Sequence, residues 1–130
     1  MLLIVSAVCG GPRSPMDVGA AAVFTDEGAT DVSGYEGTEP KIELEKRGGL
    51  WIATIYQGRQ PSTGYAIWVE RAVHVGTGVN LRARFTTPPE AGMPVVATSP
   101  AHSIGLPWGL PDAIYLYDQN DQKRAEWVRP

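Results

Sequence analysis

Turn-forming residues cut this chain at intervals that suit strands and leave no room for helices. The 130 residues include 15 glycines and 11 prolines, both above average usage, which favours many turns and short strands. Breaks fall at Gly10-Gly11-Pro12, Ser14-Pro15, Arg47-Gly48-Gly49, Pro61 to Gly64, Gly76-Thr77-Gly78, Pro88-Pro89, Gly92 to Pro94, Ser99-Pro100 and Pro107 to Pro111, where proline fixes φ and glycine permits positive φ. No segment between them sustains a 3.6-residue apolar period. The expected architecture is all-β, a single-domain sandwich with a barrel as the alternative.

The segments differ in how clearly they read. Lys41 to Glu45 alternates strictly, with Ile42 and Leu44 on one face, as a half-buried strand does. Leu50 to Gln57 is apolar and β-branched, which predicts a central strand. Tyr65 to Val75 keeps Tyr65, Ile67, Val69, Arg71, Val73 and Val75 in phase, and Gly76-Thr77-Gly78 predicts a hairpin into Val79 to Thr87. Val95 to Thr98 reads as a short strand that Ala101 to Leu106 continues. Ala113 to Tyr117, the polar tip Asp118 to Asp121 and Lys123 to Val128 read as a last hairpin. Residues 1–40 form an irregular N-terminal segment with one or two strands, Leu2 to Val8 and Ala20 to Thr25. Asp26 to Pro40, acidic and glycine-rich, reads as a loop. Residues 41–130 make up the sandwich core, and all belong to one domain, a length that buries a real core.

Charge and cysteine usage exclude several function classes. A net charge of −3 with scattered basic residues leaves no electrostatic footprint for nucleic acid. Arg82 and Arg84 alternate with Leu81, Ala83 and Phe85 as the wet face of a strand. One cysteine, Cys9, permits no internal disulfide. No run approaches the ~18 apolar residues of a membrane span. Leu2 to Val8 lacks the charged lead and small-residue cleavage site of a complete signal peptide.

The chemistry-bearing residues are equally sparse. A catalytic triad needs a nucleophile, a base and an orienting group. The two histidines are His74, whose strand phase points it to solvent, and His102, within Ser99-Pro100-Ala101-His102-Ser103. No G-x-S-x-G elbow occurs. No ligand spacing for a metal exists, and Asp118-Gln119-Asn120-Asp121 lacks the order of a calcium loop. No catalytic residue, metal or cofactor is expected. What remains is Gln60-Pro61-Ser62-Thr63-Gly64-Tyr65, a turn between two strand-like runs. Pro61 and Gly64 shape it, while the hydroxyls of Ser62 and Thr63 cap the bend or face a partner. Tyr65, Trp68 and Trp108 stand beside turns, where large aromatics serve as anchors or fill the ends of a sandwich.

The runs LWIATIYQGRQPSTGYAIWVERA and VNLRARFTTPPEAGMPVVATSPAHSIGLP resemble the C-terminal domain of PrcB-type protease complex subunits. The shared pattern is an apolar strand ending at Gly58, the turn Pro61 to Tyr65, strands over Ala66 to Glu70 and Leu81 to Pro89, and Thr98-Ser99-Pro100. It covers about residues 50–107. Ser62-Thr63-Gly64 stands where Thr-Gly-Gly is more usual. The resemblance implies an accessory, non-catalytic subunit of a bacterial extracytoplasmic protease, in the cell envelope or secreted, and it names no catalytic residue. Two loops are also similar to those of chagasin-like peptidase inhibitors: Pro61 to Tyr65, and Leu106-Pro107-Trp108 without its arginine, with Pro88 to Pro94 nearest to the glycine-rich loop between them.

The expected function is therefore binding of a protein partner, a protease by that resemblance. The expected contact residues are Pro61, Ser62, Thr63, Gly64 and Tyr65, with Trp108 as their neighbour. Direct peptidase inhibition through the 61–65 loop is one alternative, and a structural or dimerisation domain pairing through an edge strand is another. Oligomeric state stays open.

Overall fold

The alternating segments pair into two facing sheets. The computed structural model describes residues 14–89 and 94–130, and among these it contains nine strands and no helix. One sheet has the order β1 (Ala20–Ala21), β5 (Ala66–Val75), β6 (Gly78–Thr86), β8 (Ala113–Tyr117), β9 (Lys123–Val128). The other has β2 (Thr25–Thr30), β7 (Ala101–Leu106), β4 (Leu50–Tyr56), β3 (Lys41–Arg47). The result is an all-β sandwich with no closed barrel. All pairs are antiparallel except β6 with β8, which are joined by a crossover that lays β7 in the opposite sheet.

Local sequence explains the tight connections. Gly48 and Gly49 both take positive φ, 58° and 86°, as a two-residue type I′ turn requires. Between Val75 and Gly78 only Gly76 is positive, at 61°, as at the first position of a type II′ turn. In the β8–β9 turn the carboxylate of Asp118 accepts the backbone N–H groups of Asn120 (2.8 Å) and Gln122 (3.0 Å). Arg124 lies 3.2 Å from its second oxygen. Gln119 extends the parallel pairing past the end of β8: its Oε1 accepts the N–H of Phe85 at 2.9 Å and its Nε2 donates to the Phe85 carbonyl at 2.8 Å.

The core lies between the sheets. Ile55, Ile104, Leu81, Ile114 and Leu116 are fully buried there, with Ala22, Ile67 and Phe85 beside them. The free edges are blunted. β3 and β9 carry Lys41, Glu43, Glu45, Lys123 and Glu126 in exposed positions, and β2 carries Asp26 and Glu27 before a bulge. Charges and bulges of this kind oppose edge-to-edge pairing.

Expectations for three segments change, and one falls outside the described residues. Asp26 to Pro40 is not all loop, because β2 occupies Thr25–Thr30 beside β7; its bulge at Gly28 (φ 113°) breaks the alternation that marks a strand. Val95 to Thr98 is not a strand. Only Thr98 makes a bridge there, to Gln60. Residues 2–8 lie outside the described residues. The phase of β5 also flips. A bulge between Val69 and Arg71 puts Ala72 opposite Leu81 in the core and Val73 on the outer face. His74, opposite the core residue Val79, is therefore not turned to solvent: it is half-buried, edge-on to Trp108 with ring centroids 4.9 Å apart.

The N-terminal segment is part of the sandwich. The Asp17 N–H donates to the Ser14 carbonyl at 2.9 Å, and the Met16 N–H donates to Ser14 Oγ at 3.1 Å. Asn80 Nδ2 reaches the Pro15 carbonyl at 2.8 Å, and Arg82 donates to Ser14 Oγ at 2.9 Å. This strap covers the outer face of β6 and buries Met16 completely, so Arg82 is half-buried where the alternation predicts a wet face, and only Arg84 of the two is exposed.

Candidate functional site

Residues 57–65 link β4 of one sheet to β5 of the other, so the bend is a crossover and not a hairpin turn. It lies at one end of the sandwich, with residues 31–40 and 94–100 beside it. The Gln60 N–H donates to the Thr98 carbonyl at 2.8 Å, and the Thr98 N–H returns the bond to Gln60 at 2.9 Å. Thr98 Oγ1 donates to the Ser62 carbonyl at 3.0 Å, and the Thr63 N–H donates to the Pro94 carbonyl at 3.3 Å. On the other flank the Ser99 N–H donates to the Asp31 carbonyl at 2.8 Å and the Ser33 N–H to the Ser99 carbonyl at 2.9 Å. The hydroxyls of Ser33 and Ser99 meet at 2.8 Å, and that of Ser99 also donates to the Tyr35 carbonyl at 2.6 Å. Three irregular segments are thus cross-tied into one surface.

The expected contact residues sit as follows. Pro61 and Gly64 (φ 96°) are exposed, and Ser62, Thr63 and Tyr65 are half-buried. The Ser62 hydroxyl donates to the neighbouring Thr63 carbonyl at 3.1 Å, so it caps the bend. Trp108 does not join them. It packs on His74 near the end of β5, eight steps from Ala66, or roughly 26 Å along the strand. Its Nε1 donates to the Val23 carbonyl at 2.6 Å. The bend and Trp108 therefore mark opposite ends of the molecule.

The bend's real neighbours are apolar. Val95 is 90 % exposed, Val32 73 % and Val96 57 %. The Val96 N–H donates to the Pro94 carbonyl at 3.0 Å, a three-residue turn that holds Val95 at its tip. Beside this knob is a cavity of about 330 Å³ lined by Val32, Tyr35, Glu36, Arg59, Ala97 and Thr98. A slot of about 450 Å³ runs between Ala29–Asp31 and Gly64–Ile67. Val95 and Val96 escaped sequence reasoning because β-branched residues between prolines look like a strand. Their signal was that Pro94 and Pro100 flank them closely.

The same end carries a tyrosine pair. The rings of Tyr35 and Tyr56 lie 5.0 Å apart, and the Tyr56 hydroxyl donates to Glu43 Oε1 at 2.8 Å. Burial, then the bond to Glu43, pushes the Tyr56 phenol from 10.0 up to about 12. Glu43 is in turn held below the usual carboxylate range, first by Lys41 and then by Tyr56. A raised phenol stabilises the folded state while it is protonated, so this contribution is fully present below pH 10 and is lost as pH rises toward 12. Ultraviolet titration should show one tyrosine ionising near pH 12, and Glu43→Gln should bring that step down; a Tyr56 titration unchanged by Glu43→Gln would contradict the pairing.

Among the described residues, His102 is brought together with an acid but with no nucleophile. It is buried, its Nε2 lies 2.8 Å from Asp26 Oδ1, and its Nδ1 accepts the Val69 N–H at 2.8 Å. Both nitrogens are occupied, which leaves no acceptor for a serine proton. Ser103, next in sequence, faces the opposite side of the sheet and bonds Thr54 at 2.8 Å. Among the described residues no helix is long and apolar enough to cross a membrane. Compared with family models, with curated proteins and with solved structures, the chain matches none.

Proposed function

We propose that this protein is a non-catalytic protein-binding module, and that it serves as the accessory subunit of an extracytoplasmic protease complex. The observation that carries the binding role is the exposure of Val32, Val95 and Val96 on one cross-tied surface beside Pro61 and Gly64. Apolar side chains grouped on a rigid surface mark interaction sites. Their anchoring lowers the ordering cost of association. The protease as partner follows from the PrcB-type pattern over residues 50–107. Direct inhibition with Trp108 in the same wedge is a poorer fit, because the bend and Trp108 lie at opposite ends.

Burying two valines is worth about 3 kcal/mol in all, a change of more than about a hundredfold in affinity. The tagged chain should retain a protease from the envelope fraction of its own source cells, and the Val95→Asp/Val96→Asp variant should lose it. Equal retention by both proteins, or no protease on either, would reject the reading. An assay against a papain-like peptidase separates the alternative: inhibition that depends on Thr63 and Gly64 would favour an inhibitor.

A further inference from the structure

The imidazole of His102 joins strands of both sheets. It stands on β7, 4 % exposed, with Ile55 of β4 and Ala29 of β2 beside it in register. The Val69 N–H can only donate, so Nδ1, which accepts it, carries no proton. The single ring proton is therefore on Nε2 and goes to the Asp26 carboxylate. The neutral imidazole is fixed in one tautomer from two sides.

Val69 depends on this contact. It sits at the bulge of β5, and among the described residues the cover on that edge runs from His74 and Val73, paired with β1, to Ala72, whose carbonyl accepts the Ala22 N–H, and stops there. Its pairing with Ala83 leaves the N–H pointing away from β6, toward β7. Val69 is itself buried, so no water can replace His102 without the strands parting.

We propose that the contact is an acid-released clasp: protonation of His102 at Nδ1 turns its acceptor into a second donor, expels the Val69 N–H, and frees the first half of β5 together with the 61–65 crossover. The proton comes from solvent and goes to the Nδ1 lone pair, and no bond other than the hydrogen bond is broken. The charged groups around the ring are few. Asp26, which takes the Nε2 proton, has a side chain 76 % exposed, so its charge is screened by water. Glu70, at the bulge, is engaged by Arg84 at 2.9 Å, and Arg71 lies on the outer face opposite Arg82. Glu27 is engaged by Thr25 Oγ1 at 2.7 Å, and Asp31 lines the slot beside Gly64. β4 presents no charged side chain.

The clasp is independent of what binds the loop end, and its test needs no partner. Amide hydrogen exchange is followed on the whole chain by NMR as the pH is lowered from ~7.5 until the His102 ring signals report its protonation. After correction for the intrinsic rate, protection of Val69 should fall by at least about tenfold, and Trp68, paired with Arg84 on β6, should follow, while Ile114 in the core holds. A long-range proton–nitrogen spectrum should place the ring proton on Nε2 at the upper pH. His102→Asn offers an amide oxygen near the place of Nδ1 and does not titrate, so its Val69 protection should stay flat. The clasp is overturned if Val69 protection in the native chain is unmoved while His102 gains its proton, if His102→Asn shows the same fall, or if the neutral ring carries its proton on Nδ1. Should His102→Asn not fold, the tautomer and the native-chain exchange decide the matter between them.

Discussion

The Gly58→Val variant is expected to lose roughly 3 kcal/mol or more of stability, a large share of the ~5–15 kcal/mol that a domain possesses. Two costs combine. Gly58 has φ of 99°, a region where an L-residue is strained by about 1–2 kcal/mol and a β-branched one by more. A Cβ there would also overlap the backbone carbonyl of Thr38 and come within 3.3 Å of the Glu39 carbonyl carbon. The backbone has little freedom to yield. On one side the Gln57 N–H is held by the Pro100 carbonyl at 2.9 Å, and on the other the Arg59 N–H is held by Gly37 at 2.8 Å. Relief would require residues 37–39 to lift away, which would also disturb the segments supporting Tyr35 and the nearby cavity. Gly48→Asn is the control. Its φ of 58° is one that asparagine tolerates, and nothing lies within 4 Å of a Cβ there, so it should cost about 1 kcal/mol or less. Urea denaturation of the two variants measures the difference. Equal midpoints would show that the Thr38 contact does not constrain the crossover.

Gly58 also shows how far a sequence can be read. Its place at the end of an apolar strand is visible, and so are the hairpins at Gly48-Gly49 and Gly76-Thr77. These signals are local: a turn residue and a two-residue period reveal themselves within ten positions. The strands Lys41–Arg47, Leu50–Tyr56, Ala113–Tyr117 and Lys123–Val128 were legible for that reason. The bulge at Val69 was not, because the fifth residue of an alternating run gives no sign that the next one will be skipped. That single slip reverses His74 and Val73. The crossing of the 57–65 segment between sheets was also hidden, since a turn residue looks the same whether its strands pair with each other or part company. Trp108 and the bend look alike in the sequence because both lie next to prolines, whereas strand length separates them. The His102–Asp26 contact spans 76 positions, and no short-range pattern can announce it.

Met16→Ala should destabilise the protein by about 2–4 kcal/mol, as truncating a fully buried methionine does, although the residue lies in a stretch whose sequence looks irregular. The strap has little secondary structure to hold it. Its polar ties are the Ser14 turn and the bonds from Asn80 and Arg82, and each such exchange with water is worth only about 1 kcal/mol. The larger contribution is apolar. Val73 is fully buried yet lies outside the main core, on the outer face of β5 opposite Asn80. Only a cover on that face can account for its burial, and Met16 belongs to the segment tied to Asn80. Removing the thioether leaves either a cavity over the sheet or a strap that lifts and exposes Val73, and both lower the urea midpoint. Met16→Leu conserves volume and should cost less than about 1.5 kcal/mol. The two outcomes of Met16→Ala differ in exchange: a lifted strap deprotects the Asp17 amide, whereas a cavity leaves it protected. A midpoint indistinguishable from that of the native chain would mean that Val73 is buried by something other than this strap.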